Sequence, residues 1–139
     1  MKTNRLLIVD DDEDTLLIVR EIARLAGFEP LSASSFTDAR DALAQDVSAV
    51  LLDIVMPDQL CIRLGAYMSE EYRGIPVILM SAGDIDFIKK SRHRLEAIGV
   101  TVTGELSKPF WIDGLLEALS CALRKPPDEG APEPEVLID

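Results

Sequence analysis

Short apolar runs alternate with longer amphipathic segments along almost the whole chain, and this alternation limits the fold more than any other feature. The apolar runs predict strands at 5–10, 28–32, 49–53, 76–81 and 100–106, and the amphipathic segments predict helices at 13–26, 38–45, 60–72, 86–98 and 112–124. The first, third and fourth runs are nearly continuous in apolar residues, as in a sheet covered on both faces. Because strictly alternating strands and helices favour parallel strands joined by right-handed crossovers, we predict an α/β fold. It consists of a doubly wound five-stranded parallel sheet with helices on both faces.

Composition and charge narrow the class of protein. With 139 residues, 47% of them hydrophobic, the chain can build one core without disulfides. The two cysteines, Cys61 and Cys121, show no CxxC spacing, so we predict neither a disulfide framework nor a zinc site. The net charge of -11 argues against a nucleic-acid partner, and the first apolar run stops at Asp10, too short for a signal peptide. We therefore expect a cytoplasmic protein that binds neither nucleic acid nor membrane.

The last residues differ in composition from the rest of the chain. Residues 126–139 hold five acids, no lysine or arginine, and half of the eight prolines, a composition typical of disorder. Their apolar end at 136–138 leaves three readings open: a passive linker, a segment that docks on a partner, or one that docks on its own domain. We predict a folded domain over residues 1–124 and an acidic, proline-rich tail over 125–139.

Polar residues follow the predicted strands where each strand ends. They are Asp10, Asp11 and Asp12 after the first strand, Asp53 after the third, Ser81 after the fourth and Lys108 after the fifth. In a doubly wound sheet these ends lie at one edge. Paired carboxylates suit a hard cation such as magnesium, while an ammonium and a hydroxyl suit phosphoryl oxygens. The set therefore favours phosphoryl transfer to a carboxylate, which would form an acyl phosphate.

Four motifs carry a resemblance to a known family. The segments "LLIVDDD", "LLDIVMPD", "ILMSAG" and "LSKPF", in this order, resemble the receiver domain of bacterial two-component response regulators. The resemblance covers about residues 5–124 and implies a flavodoxin-like sheet of strand order 2-1-3-4-5. It also implies a single-domain response regulator that is not an enzyme in the usual sense, although it assists its own phosphorylation and dephosphorylation.

The same resemblance implies a role for each matching residue. Asp53 would be the phosphoacceptor, and Mg2+ would be held by Asp10, Asp11, Asp53 and the backbone carbonyl of Val55. Ser81 and Lys108 would contact the phosphate, and Pro109 would follow a cis peptide bond. In contrast, Asp12 and Asp14 are interpreted as acids that favour the start of the first helix.

The chain departs from the family pattern at several positions. Glu105 stands three residues before the lysine, where the family usually has an aromatic side chain that turns inward. Because a carboxylate is costly to bury, we expect the aromatic switch to be absent. The loop "MPDQLCIRLG" lacks the family's glycine, so we expect a different turn there. The long spacing between Ser81 and Lys108 and the run "GVTVTGELSKPF" resemble receivers fused to cyclic-di-GMP phosphodiesterases.

Surface patterns suggest where partners bind. Leu17, flanked by Ile18 and Leu25, is predicted to face outward on the first helix and to dock a histidine kinase or histidine phosphotransfer protein. The basic run at 89–94 is interpreted as a solvated face, or else as a site for an acidic partner. An unknown downstream protein would receive the signal, with the chain acting as a monomer or as a phosphorylation-dependent dimer.

Two other functions stay open on the sequence alone. The chain could be a receiver-like scaffold that works without phosphorylation. It could also be a haloacid-dehalogenase-like phosphatase with Asp10 as nucleophile and Asp12 as acid and base, although it has no convincing later acidic pair.

Overall fold

The computed structural model describes residues 4–83, 85–109 and 112–123. The strands are β1 (Arg5–Val9), β2 (Glu29–Ala33), β3 (Ala49–Asp53), β4 (Val77–Ser81) and β5 (Val102–Ser107). The helices are α1 (Glu13–Leu25), α2 (Phe36–Leu43), α3 (Leu60–Glu71), α4 (Ile85–Ala97) and α5 (Ile112–Leu123), with a 3-10 turn at Pro57–Gln59 before α3. The strands are parallel, in the order β2-β1-β3-β4-β5. The predicted fold and strand order are confirmed.

The sheet separates two hydrophobic layers. Along β1, Leu7 and Val9 belong to the layer under α2, α3 and α4, whereas Leu6 and Ile8 belong to the layer under α1 and α5. All five residues of β3 and of β4 are buried, as the continuous apolar runs predict for strands that are covered on both sides. The central strands are therefore fixed from both faces, and so are the positions where they end.

Most element boundaries differ from the prediction by at most one residue, and two larger differences have local reasons. Helix α2 begins two residues earlier than expected because Ser35 is its N-cap, and the Ser35 hydroxyl accepts a hydrogen bond from the backbone N–H of Asp38 at 3.1 Å. Strand β5 begins later because the N–H of Val100 still bonds to the helical carbonyl of Leu95 at 3.0 Å. Gly99, with a φ of 103°, lets the chain turn there.

The remaining predictions about organisation concern cysteines, membrane and tail. Cys61 is buried, Cys121 is exposed, and both are free thiols. Within the described ranges, no helix is both long and apolar enough to cross a bilayer. The predicted domain boundary at residue 124 and the acidic tail lie outside the described residues, so both stay predictions.

Candidate functional site

Four strands bring their last residues to one edge of the sheet. Asp10 follows β1, Asp53 ends β3, Ser81 ends β4, and Lys108 follows β5. Asp10 and Ser81 are fully buried and Asp53 is 5% exposed. Burying polar groups at the end of apolar strands is costly unless they are bonded to one another or to a ligand. The strand-end residues thus form one site.

Lys108 connects the two buried carboxylates. Its Nζ donates hydrogen bonds to Asp10 Oδ2 at 2.7 Å and to Asp53 Oδ2 at 3.2 Å. Burial alone would lower the pKa of Lys108, but the two carboxylates outweigh it, so its pKa is raised above the ordinary value. The lysine is therefore a permanent positive charge that faces Asp53.

Backbone N–H groups orient the other oxygen of each carboxylate. Asp10 Oδ1 accepts from the N–H of Asp12 at 2.9 Å, and Asp53 Oδ1 accepts from the N–H of Val55 at 2.9 Å. Burial raises the pKa of Asp53 above its ordinary value, and the charge of Asp10 adds to this effect, although the Val55 N–H and Lys108 oppose it. The site still carries more negative than positive charge.

The acidic cluster fits a divalent cation. One carboxylate oxygen from each of Asp10, Asp11 and Asp53 lies within 4.8 Å of the other two. Among the described residues, the ammonium of Lys108 pairs with two of these three acids, Asp10 and Asp53. Carboxylate oxygens in this number suit a hard cation such as Mg2+, so the donor set fits the metal that the sequence predicts. The carbonyl oxygen of Val55 as a further ligand stays a prediction.

Ser81 and the segment after β5 are joined at the same edge. The Ser81 hydroxyl accepts a hydrogen bond from the N–H of Gly83 at 2.8 Å. The carbonyl of Ser81 accepts from the N–H of Lys108 at 2.8 Å, and the Lys108–Pro109 peptide bond is cis. The turn that begins α4 and the end of β5 therefore meet at one residue.

The loop after Asp53 takes an unusual turn. Asp58 and Gln59 have φ values of 61° and 54°, in the left-handed region where glycine is at ease. Each such residue costs roughly 1 kcal/mol or more. The chain therefore makes a left-handed turn here without a glycine, at the cost of backbone strain at two residues that carry side chains.

Glu105 is half-buried, and hydrogen bonds from Arg92 make the burial of its carboxylate possible. Arg92 on α4 donates from Nη1 to Glu105 Oε2 at 2.9 Å, from Nε to Glu96 Oε2 at 3.0 Å and from Nη2 to the carbonyl of Val102 at 3.1 Å. The bonds to Glu105 and then to Glu96 raise the pKa of Arg92 above its ordinary value. The expected cost of placing a carboxylate here is thus offset by an ion pair that joins α4 to β5.

The basic run on α4 divides into two faces. Lys89, Lys90, His93 and Arg94 are exposed, as a solvated face predicts. For Ser91, which is buried, and for Arg92, which faces β5, that prediction is wrong. The spacing of Arg92 and Glu96 is a local signal for their contact, but the contact with Glu105 has no local signal.

A large apolar groove adjoins the site. It has a volume of about 720 Å³ and lies between α1 and the start of α5, with Ile18, Leu25, Pro109 and Ile112 among its lining residues and Lys108 at one end. Leu17 is 64% exposed, as predicted, but it lines a smaller cavity of about 190 Å³ on the other side of α1. The apolar surface beside the site is therefore centred on Ile18 and Leu25 rather than on Leu17.

Comparison with known proteins gives one answer. The family model for the response regulator receiver domain matches residues 6–120. Sporulation initiation phosphotransferase F of Bacillus subtilis is 28% identical over 121 residues, which cover 86% of this chain and 93% of that protein. Transcriptional regulatory protein CpxR of Escherichia coli is 26% identical over 88% of this chain.

Solved structures agree with the sequence comparisons. Chemotaxis response regulator CheY4 of Vibrio cholerae superposes with a TM-score of 0.73 at 25% identity, over 88% of this chain and 100% of that one. The signal receiver domain of an HD domain-containing protein from Pseudomonas fluorescens gives a TM-score of 0.76 at 26% identity, over 88% of each chain. The chain spans about half the length of several relatives, with 50% of CpxR and 54% of response regulator MprA of Mycolicibacterium vanbaalenii covered.

Proposed function

This chain belongs to the response regulator receiver domain family of two-component signalling, and on that premise we propose that it accepts a phosphoryl group onto Asp53 with Mg2+. The donor is a histidine kinase or a histidine phosphotransfer protein. One observation carries the proposal: the ammonium of Lys108 lies between two buried carboxylates, 3.2 Å from Asp53 and 2.7 Å from Asp10. Such a cluster is of little use to stability, but it suits an incoming phosphoryl group.

The residues of the site have separate tasks in the transfer. An oxygen of Asp53 forms a bond to phosphorus while the bond from phosphorus to the donor's imidazole nitrogen breaks, and the released imidazole takes a proton from solvent. Lys108 neutralises the phosphoryl oxygens and favours the ionised form of Asp53. When bound by Asp10, Asp11 and Asp53, Mg2+ supplies the remaining positive charge.

Phosphorylation is read out through Ser81 and Lys108. The Ser81 hydroxyl donates to a phosphoryl oxygen, which draws it away from the turn that Gly83 begins, and Lys108 moves with the end of β5. The phosphorylated form shifts an existing equilibrium across α4, β5 and α5. We expect slow self-dephosphorylation, because Val55 and Gly83, two residues beyond Asp53 and Ser81, offer no polar side chain to position water.

The groove beside the site supports the choice of donor. Ile18 and Ile112 are exposed on either side of it, and exposed apolar surface of this extent marks an interaction site. An amphipathic helix that lies in the groove would bring its phosphohistidine to Lys108 and Asp53. The donor therefore binds across α1 and the start of α5.

Intact-protein mass spectrometry after incubation with a small acyl-phosphate donor tests the proposal. We expect one phosphoryl adduct that needs Mg2+ and that is lost with Asp53→Asn and reduced with Asp10→Asn. Asp58→Asn, in the same loop but outside the acidic cluster, is the matched control and should keep the adduct. An adduct that survives Asp53→Asn would refute the assignment, and one that depends on Asp10 alone would support the phosphatase alternative.

One observation favours a second function. The ion pair of Arg92 with Glu105 joins α4 to β5 without any phosphoryl group, as a scaffold that works without phosphorylation would need. The two functions are distinguished by how the Asp53→Asn variant binds the downstream partner. A scaffold keeps this binding unchanged, whereas a switch no longer responds to phosphorylation.

A further inference from the structure

The outer face of α4 carries two lysines, an arginine and a histidine, in a chain whose net charge is -11. Lys89, Lys90, His93 and Arg94 are exposed, and their spacing places them on one side of the helix; we call them the basic face of α4. Among the described residues, none of the four forms an ion pair. The face is free for an acidic partner.

Few carboxylates are available to the basic face within the described residues. Asp86, exposed in the first turn of α4, lies three and four residues before Lys89 and Lys90, but no ion pair joins it to either lysine. Glu96 and Glu105 both bond to Arg92 and are turned towards the sheet side of the helix. With Asp86 as its one neighbouring acid among these three, the face keeps an excess of positive charge that further acidic groups can offset.

The acidic tail supplies such groups in the same chain. Residues 126–139 hold five acids and no lysine or arginine. Helices α4 and α5 both pack against β5 but on opposite faces of the sheet, and both end at the same edge of the sheet, at Ala97 and Leu123. The tail therefore has to pass around β5, which is an outer strand. Residues 124–139 could span about 50 Å when extended, and the basic face is only about 8 Å long. The tail is therefore long enough to reach it.

We propose that residues 128–139, the part of the acidic tail that holds its carboxylates, bind the basic face of α4 within the same chain. Single exposed ion pairs are weak, but a tethered segment acts at an effective concentration on the order of millimolar. The net charge of -11 disfavours the same contact between two copies. The binding itself does not depend on phosphoryl transfer. Its consequence for signalling, that the tail competes with a partner for α4, rests on the proposed function.

Carbodiimide cross-linking of the full chain, followed by peptide mass spectrometry, tests the contact. We expect amide links from Lys89 or Lys90 to acids of the tail at low salt, with a yield that falls several-fold at about 0.5 M salt, where the Debye length is only about 4 Å. Arg94→Gln, which leaves both lysines in place, should also lower the yield. Arg40→Gln, on the exposed surface of α2, is the matched control and should not.

Isotope mixing distinguishes contact within a chain from contact between chains. In an equal mixture of labelled and unlabelled protein, links within one chain give no mixed-isotope peptides, whereas links between copies do and would overturn the proposal. Capture of an added amine by the tail carboxylates shows that they are activated. If they are activated but form no links to Lys89 or Lys90, or if Arg94→Gln leaves the yield unchanged, the proposal is wrong. Because no arm measures phosphorylation, failure of the proposed function would leave this result standing.

Discussion

The ion pair between Arg92 and Glu105 predicts that removing one partner costs more than removing both. The side chain of Glu105 is 20% exposed and that of Arg92 is 34% exposed, so water only partly replaces a lost partner. Arg92→Leu leaves Glu105 without a counter-charge and the carbonyl of Val102 without its donor. We expect the free energy of unfolding to fall by about 1–2 kcal/mol, and each kcal/mol to lower the melting temperature by roughly 3–5 °C in a chain of this length.

Replacing both partners should restore most of this stability. With Arg92→Leu and Glu105→Leu together, two apolar side chains meet between α4 and β5, and no charge is left half-buried. We expect the double variant to lie within about 1 kcal/mol of the wild type. Urea unfolding of the wild type, both single variants and the double variant, followed by circular dichroism, gives the coupling between the two positions.

A matched control separates this pair from an ordinary surface contact. Glu96 also bonds to Arg92, but its side chain is 45% exposed, so Glu96→Gln should change the free energy of unfolding by less than about 0.5 kcal/mol. If the effects of Arg92→Leu and Glu105→Leu add to within about 0.3 kcal/mol, the two residues are not coupled and the reasoning is refuted.

Three further predictions concern the site and the thiols. Burial raises the pKa of Asp53, so the folded state binds a proton at this carboxyl more tightly than the unfolded state does. The gain in stability from Asp53→Asn, measured without metal, should therefore shrink between neutral pH and about pH 5. An equal gain at both pH values would contradict this. Mg2+ should raise the melting temperature of the wild type but much less that of Asp10→Asn, and equal shifts in a thermal scan would argue against the metal site. Burial raises the pKa of the Cys61 thiol to about 11, so a thiol reagent should modify Cys121 quickly and Cys61 only on unfolding; equal rates would contradict this.

The site was predictable because its signals are local. Asp10, Asp53, Ser81 and Lys108 each follow an apolar run, and the alternation of strands and helices is sufficient to bring strand ends to one edge. The cap of α2 was visible too, since Ser35 and Asp38 have the spacing of a helix N-cap and the residue whose N–H it binds. Giving weight to that pair would have placed the start of α2 correctly.

The contact between Arg92 and Glu105 was not predictable in the same way. It depends on how close α4 lies to β5 and on the register shift that β5 makes opposite Val77 and Ile78. Neither the distance between α4 and β5 nor the register shift can be inferred from the hydrophobic pattern of α4 or of β5. The left-handed turn at Asp58 likewise follows from the closure of the loop onto α3, because an aspartate does not favour that conformation strongly enough to predict it.

The two outer strands of the sheet make poor templates for the strand of another chain. The N–H of Glu29 bonds to the carbonyl of Asn4 at 2.8 Å on the inner side of β2, so the next residue, Pro30, faces the outer edge, where it has no N–H to offer. At the other edge, Arg92 occupies the carbonyl of Val102, and the register shift interrupts the ladder. Both features protect against edge-to-edge aggregation, so self-association of this domain should proceed through its helices.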